Sequence, residues 1–438
     1  MIVAAEKLRR SLFWILDTLK GSPVANHLKE IDSTIKGYPD TRQIVENKLA
    51  VMLQHAAATT DFYSSYKSGS IIDFPIINKT IIRDNEAAFI STKFNKASLH
   101  KVVTSGSTGT PFCVYHNAAK KLRNTADTIY FAKQAGFELG QKLYYFKIWN
   151  DINKKNWFNT WSQNIEVCNV FELSDTAIEQ LLIRLNKDQS TIGLLGYASA
   201  YDAICRFLDR NPQVKIKSRV QSAIAMSEGL NNYTKEAMQR HFKCVCISRY
   251  SNVENGMIAQ QSIEGGGLFF INFASYYVEV LNMDDNQPCP MGQPGRIVVT
   301  DLYNEAMPMI RYDTGDIGIL NEHRINAKPT PVFEKIEGRK MDMVFNSNGH
   351  LVSSFTITNG MWKYTELTQY QFIQTSKNSY LFKLNSDTPF TRTTELITDF
   401  KAIFGLNALI EIEYVDEIPL LNSGKRKKVM NISSPVDR

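Results

Sequence analysis

The chain reads as an α/β protein: a large N-terminal domain of parallel-type sheets with helices plus a barrel-like antiparallel piece, and a small α+β C-terminal unit. Three textures along the 438 residues say so. From about residue 120 to 250, short runs rich in β-branched and aromatic residues alternate with helical periodicity. After Gly265-Gly266-Gly267 the pattern becomes a meander of strands, and beyond Gly338 a separate alternation begins. A single core stops growing below this length, so a large and a small domain are expected, 1–337 and 343–438, about a joint at 338–342.

At the N-terminus, Arg9-Arg10 precedes Ser11-Leu12-Phe13-Trp14-Ile15-Leu16, and Asp17 and Lys20 cut the apolar run short. The spacing predicts an amphipathic helix, not a signal peptide or a membrane span. The rest of the first hundred residues carries no motif. Next comes Val102-Val103-Thr104-Ser105-Gly106-Ser107-Thr108-Gly109-Thr110-Pro111. Glycines let backbone N–H groups converge and hydroxyls add donors, so such a turn makes a nest for anionic oxygens. It is not a Walker A loop, because Phe112, Cys113 and Val114 follow where Gly-Lys-Ser/Thr would stand.

Residues 143–148, 191–195, 220–225 and 244–248 read as strands. Between them Ile178, Leu181, Leu182 and Leu185, then Tyr201, Ile204, Cys205 and Leu208, have helical spacing. Strand, helix, strand implies a parallel sheet covered by helices. The antiparallel piece is read at 268–272, 277–281 and 296–300, with turn signals at Asp284-Asp285-Asn286 and Met291-Gly292-Gln293-Pro294-Gly295. In the last unit, 370–375 and 380–384 read as paired strands. Leu396, Ile397, Phe400, Ile403 and Phe404 form a helical stripe, and 409–414 a further strand.

Composition narrows the function. Lys plus Arg number 50 against 44 Asp plus Glu, a net charge of +6 that is too balanced to argue for nucleic acid but suits anionic small molecules. The six cysteines include no C-x-x-C pair, and Cys244-x-Cys246 lies in an apolar run, so buried thiols and a reducing, cytoplasmic setting are expected. The seven histidines show no H-x-x-H spacing, which argues against zinc.

Four further segments line up with the glycine-rich loop. Ser248-Arg249-Tyr250-Ser251-Asn252-Val253-Glu254-Asn255-Gly256 follows a predicted strand, at the strand end where ligands collect in open α/β sheets. Arg311-Tyr312-Asp313-Thr314-Gly315-Asp316 offers carboxylates on a tight turn, Gly338-Arg339 opens the joint, and Asn422-Ser423-Gly424-Lys425 presents a lysine near the C-terminus. From about residue 100 to 430, these motifs in this order resemble the adenylate-forming superfamily, in its phenylacetate-CoA ligase and CapK-like branch.

The resemblance implies ATP, Mg2+ and a carboxylic acid, with the C-terminal unit as a mobile lid. It assigns Thr104, Ser105, Gly106, Ser107, Thr108, Gly109 and Thr110 to the β- and γ-phosphates of ATP, and Ser227, Glu228 and Gly229 to the adenine pocket. Tyr250 would stack on adenine beside Ser251 and Asn252, Glu254 would ligate magnesium, Asp316 would bind the ribose with help from Arg339, and Lys425 would reach the α-phosphate. Thr104, Glu254 and Lys425 are the candidate catalytic residues; Tyr197, Ala198 and Ile224 are candidate walls of the acid pocket. The acyl acceptor is coenzyme A or an amine such as an amino sugar, the latter fitting the link of CapK-like proteins to polysaccharide biosynthesis. Phenylacetate-type relatives are often dimeric, which makes a homodimer an assembly to test.

Plainer readings stand beside these. Glu254 can be a cap, Asp316 a turn former, Tyr250 core packing, Ser227 and Glu228 a helix start, and Lys425 part of a solvated charge run. A catalytically silent nucleotide-binding scaffold is the competing class. Two departures from the pattern are visible: Phe112 stands where many relatives carry lysine, and the hinge position after Arg339 is Met341 beside Asp342.

Overall fold

The computed structural model describes residues 2–66, 69–104, 112–147, 149, 157–170, 174–283, 285–325, 327–339, 344–349, 351–352, 354–361, 363–419 and 427–433. Helices α1 (Ile2–Leu19), α2 (Pro23–Gly37) and α3 (Arg42–Thr59) come first, then short α4 (Lys79–Asp84) and α5 (Glu86–Phe89). A hairpin of β1 (His100–Thr104) and β2 (Phe112–His116) leads to α6 (Ala118–Gln134). The alternating region follows as β3 (Lys142–Lys147), α7 (Trp157–Ser162), β4 (Ile165–Asn169), α8 (Asp175–Lys187), β5 (Ile192–Tyr197), α9 (Ala198–Arg210), β6 (Val220–Met226), α10 (Asn232–Phe242) and β7 (Cys246–Asn252). Then come β8 (Gly256–Gln261), β9 (Phe269–Ile271), β10 (Tyr276–Leu281), β11 (Pro294–Asp301), β12 (Tyr312–Ile325) and β13 (Lys328–Arg339). The C-terminal unit has β14 (Val344–Phe345), β15 (Leu351–Val352), α11 (Ser354–Met361), β16 (Gln369–Gln374), β17 (Ser379–Asn385), α12 (Thr393–Phe404), β18 (Leu409–Tyr414) and β19 (Val429–Asn431).

The α/β architecture is as the alternation predicts. One 11-stranded sheet runs β10-β11-β12-β13-β9-β8-β7-β6-β5-β3-β4. Its β4-β3-β5-β6-β7 half is parallel, and every pair from β7 to β10 is antiparallel. The meander is thus continuous with the parallel strands, joined to them edge to edge through β7 and β8. Both faces of the parallel half are covered, which is why β5 and β6 read as nearly unbroken apolar runs. Ser174 Oγ caps α8 by accepting from Ala177 N at 3.2 Å, and Ile178, Leu181, Leu182 and Leu185 turn inward to pack with α9 and the strands. At Gly196, a Cβ would stand 2.5 Å from Phe146 Cβ on β3, so only glycine allows that strand contact.

Two expectations shift. The strand read at 244–248 begins at Cys246 and reaches Asn252, because Lys243 adopts a left-handed conformation that ends α10 and Cys246 is the first residue registered on β6. The turn read at 311–316 is the start of a 14-residue strand, bent where Gly315 has φ 78° and the register slips after Asp316. The expected burial of Cys244 and Cys246 is found, and the six cysteines are free.

The C-terminal unit carries its own four-stranded sheet, β18-β17-β16-β19, and a core of Val344, Ile357, Phe372, Phe382, Leu396, Phe400 and Phe404 among others. Phe400 and Phe404 lie one helical turn apart and meet Phe372 on the sheet. No described helix is long and apolar enough to cross a membrane.

Candidate functional site

Register brings the C-terminal ends of three parallel strands to one level: Tyr197 on β5 pairs with Met226 on β6, which pairs with Arg249 on β7. The chain leaves β3 for β4 on one side and returns to β5 on the other, so β3 and β5 flank a switch point, the place where open α/β sheets leave a crevice. Tyr197 and Ala198 stand there, buried, at the start of α9. Ser227 takes a left-handed conformation (φ 67°) just beyond β6, an uncommon backbone for a residue with a Cβ. Glu228 reaches across from the same turn, and its Oε2 accepts from Ser199 N at 2.8 Å. Tyr197 gives α9 no side-chain cap, so this carboxylate supplies one from another element and faces the positive end of the helix. Ile224 instead packs with Ala135 and Ile247 in a separate small core, away from the cluster holding Tyr197 and Ala198.

Tyr250 and Asp316 meet. The Tyr250 hydroxyl lies 2.8 Å from Asp316 Oδ2 and 3.1 Å from Thr314 Oγ1, and burial, then the Asp316 charge, raise its pKa well above the usual phenol value. It therefore stays a donor at any working pH. Asp316 sits opposite Arg339 in the β12–β13 register. Ser251 and Asn252 end β7, where Asn252 Oδ1 accepts from Asn255 N at 2.7 Å to close the turn to β8. Gly256 follows at φ 109°, and a Cβ there would come within 2.8 Å of Asn124 Oδ1.

Glu254 is buried on this turn and is held from three sides. Tyr312 donates its hydroxyl to Oε1 at 2.9 Å, Lys79 forms an ion pair with the same oxygen, and His116 Nε2 lies 2.8 Å from the Glu254 carbonyl oxygen. A carbonyl only accepts, so His116 carries its proton on Nε2. Burial, followed by the Lys120 charge, lowers the His116 pKa to about 4 from 6.5. The folded protein therefore resists a proton that the unfolded chain takes up. Stability is expected to fall as pH drops from 6.5 towards 4, by on the order of 3 kcal/mol, and to change no further through this group below 4. Denaturant titrations across that window on the wild type and His116→Gln check it: the variant should lose much of the slope.

The base of the glycine-rich loop belongs to the same cluster. Thr104 pairs with Phe112 across the hairpin, His116 ends β2, and Lys79 Nζ stands 5.4 Å from the Phe112 ring centroid. The loop residues Ser105, Gly106, Ser107, Thr108, Gly109 and Thr110, and also Lys425, lie outside the described residues. For Thr104 and Arg339 the backbone alone is described.

Lys79, His116 and Tyr312 were not among the candidates read from sequence. Lys79 is the first residue of α4, after the Asn78 cap whose Oδ1 accepts from Ile81 N at 2.9 Å. A cation at a helix N-terminus is locally unfavourable, and that misplacement is the signal that could have flagged it. The segment before it runs beside β12, with Ile77 bridged to Tyr312.

As a magnesium holder the cluster fits. Among the described residues both side-chain contacts on Glu254 fall on Oε1, which leaves Oε2 to face a hard cation, and Mg2+ commonly takes one or two carboxylates with the rest of its shell from phosphate and water. Among the described residues no group of three or more His, Cys, Asp or Glu forms an all-protein cage.

Comparison with known proteins bears on the fold. Residues 344–432 match the CapK C-terminal domain. Protein CapK of Staphylococcus aureus is 25% identical over 374 residues, 83% of this chain and 80% of its own. A phenylacetate-coenzyme A ligase of Thermus thermophilus is 40% identical over 67 residues, 15% of each chain. Among solved structures, 2-hydroxyisobutyryl-CoA ligase in its postadenylation state with R3-HIB-AMP superposes with a TM-score of 0.71 at 14% identity, covering 91% of this chain and 90% of that one. The chain is a CapK homologue whose C-terminal part matches the CapK C-terminal domain, and its fold is that of the CoA ligase on which it superposes.

Proposed function

We propose that the protein activates a carboxylic acid with ATP, forming an acyl-adenylate and pyrophosphate, and then passes the acyl group to coenzyme A or an amine. The observation that carries this reading is one cluster: Tyr250 on Asp316, and Lys79 and Tyr312 on Glu254, beside the base of a loop of hydroxyls and glycines. An acyl-AMP bound to the structurally similar ligase supports it.

In this reading the carboxylate oxygen attacks the α-phosphorus while the bond to pyrophosphate breaks, and negative charge builds on the phosphoryl oxygens. Tyr250 offers a ring face to adenine, Asp316 accepts from the ribose hydroxyls with Arg339 opposite, and Thr104 to Thr110 enclose the β- and γ-phosphates. Ser227, Glu228 and Gly229 edge the base, and Ser251 and Asn252 hold the turn that presents Glu254. Mg2+ on Glu254 would neutralise phosphate charge. Tyr197 and Ala198 wall the acid at the switch point. Residues 338–342 form the joint that lets the lid, 343–438, bring Lys425 in and swing it away for the second half-reaction.

Incubation with ATP, magnesium and a panel of carboxylic acids, with hydroxylamine as trap, tests the first step. Acid-dependent pyrophosphate and hydroxamate are expected; their absence across a broad panel would favour the silent scaffold. Coenzyme A and amino sugars, added in turn, then distinguish the acceptors. Glu254→Gln is expected to raise the magnesium concentration for half-maximal rate by about tenfold, since a neutral amide is a poorer ligand for a hard cation. An unchanged magnesium profile would remove Glu254 from the metal site.

A further inference from the structure

The face that α1 turns to solvent is the apolar one. Leu8, Leu12, Ile15, Leu16 and Leu19 are 49 to 78% exposed. At 100° per residue they fall within an arc of about 100°, a single stripe along a helix about 27 Å long. The inward face packs Phe13 and Trp14 against the cluster of Val24, Ile31 and Phe131 and is otherwise held by polar groups. Glu6 Oε1 accepts from Thr191 N at 2.9 Å, Asp17 accepts from Val24 N and Ala25 N at 3.0 Å each, and Arg10 pairs with Glu138. The helix thus carries, besides the aromatic pair it buries, a second apolar face left in solvent, where a surface helix ordinarily turns polar residues outward.

Charge separates the same way. Both acids of α1, Glu6 and Asp17, are buried, while Lys7 and Lys20 are exposed and Arg9 is half-buried at the rim of the stripe. The helix crosses the end of the sheet where parallel strands begin: Thr191 precedes β5, and a Cβ on Gly140, just ahead of β3, would stand 2.3 Å from the Glu6 carbonyl oxygen. At that same end α7 leads into β4, and its Trp157 and Trp161 are 76% and 61% exposed. Asn164 ties this corner together, its Nδ2 donating to the Gly140 carbonyl at 3.1 Å and its N to that of Trp161 at 3.1 Å.

We propose that α1 lies flat on an anionic lipid surface, its leucine stripe entering the acyl boundary, Lys7, Arg9 and Lys20 at the headgroups, and Trp157 and Trp161 anchoring the same edge. An apolar face rimmed by Lys and Arg, with no exposed acid on the helix, is the pattern of interfacial helices, and tryptophan favours the headgroup level. Pairing α1 with itself across a two-fold axis would set like charges against one another, which disfavours a second copy as occupant. Candidate chemistry lies at the opposite, C-terminal ends of the strands, so this docking leaves the site open to water.

Co-sedimentation with phosphatidylcholine vesicles, with and without phosphatidylglycerol, tests the idea in the full-length chain. Binding is expected only with the anionic lipid, weakening as salt rises, with a blue shift in tryptophan emission that Trp157→Phe/Trp161→Phe abolishes. Leu12→Gln/Leu16→Gln replaces two exposed side chains, so circular dichroism should be unchanged while vesicle affinity drops about tenfold or more. Failure of the folded wild type to bind anionic vesicles would overturn the proposal, as would equal binding by the glutamine variant. A dimer by light scattering that this variant converts to monomer, without lipid binding, would instead assign the stripe to a second copy.

Discussion

Lys425→Ala is expected to lower acyl-adenylate formation by about 10² to 10³-fold while ATP still binds. The reason is electrostatic. A carboxylate approaching the α-phosphate brings two anions together, and the transition state adds charge to oxygens that the ground state does not burden. Glu254, Asp316 and Tyr250 bring no positive charge to that point; among the described cluster Lys79 is cationic, and it is engaged by Glu254. A second cation brought in only at closure acts selectively on the transition state, which raises rate without tightening ground-state binding. Pyrophosphate exchange measures the loss and calorimetric titration measures ATP binding. Lys428→Ala serves as control for the neighbouring positive charge: Lys428 lies 5.5 Å from the Tyr370 ring centroid and near the Asp202 and Glu228 carboxylates, and its removal should change the rate less than tenfold. Equal losses in the two variants would assign the effect to the charge run as a whole and remove Lys425 from the chemistry.

The parts of the fold that were legible in the sequence are those where burial imposes a period. Ile178 to Leu185 and Tyr201 to Leu208 announce their helices because one stripe of each packs on the sheet, and β5 and β6 announce themselves because both faces are covered. The β12–β13 hairpin was not legible. It is long, half-exposed and interrupted by Pro329 and Pro331, so alternation is weak and the Asp-Thr-Gly-Asp turn chemistry dominated the reading. The site divides similarly. Tyr250, Glu254 and Asp316 stand in motif context near strand ends, whereas Lys79 arrives from a segment 175 positions before Glu254 in the numbering and no local pattern connects the two. Ile224 shows the converse: near the right strand end, it points to the α6 side because successive strand residues alternate faces.

The largest loss of stability is expected from Lys120→Met. Lys120 and Asp301 are fully buried, and Lys120 Nζ stands 2.6 Å from Asp301 Oδ2 and 3.2 Å from the Tyr276 hydroxyl. Asp301 Oδ1 accepts from Tyr303 N at 2.9 Å and Asn304 N at 3.1 Å, which hold the carboxylate in place but do not neutralise it. Methionine fills the volume and removes the charge, leaving a carboxylate in a dry interior, an imbalance worth about 3 to 5 kcal/mol. The damage should reach the site, because Tyr276 donates to the Asn255 carbonyl at 2.6 Å and Asn255 adjoins Glu254. Denaturant midpoints check the loss. Lys120→Met/Asp301→Asn removes the stranded charge while keeping an oxygen to accept from Tyr303 and Asn304, so it should recover a large part of what the single change costs. Were the double variant no more stable than the single one, Lys120 would be acting through its packing against the Tyr276 ring, whose centroid is 4.8 Å from Nζ, and not through its charge.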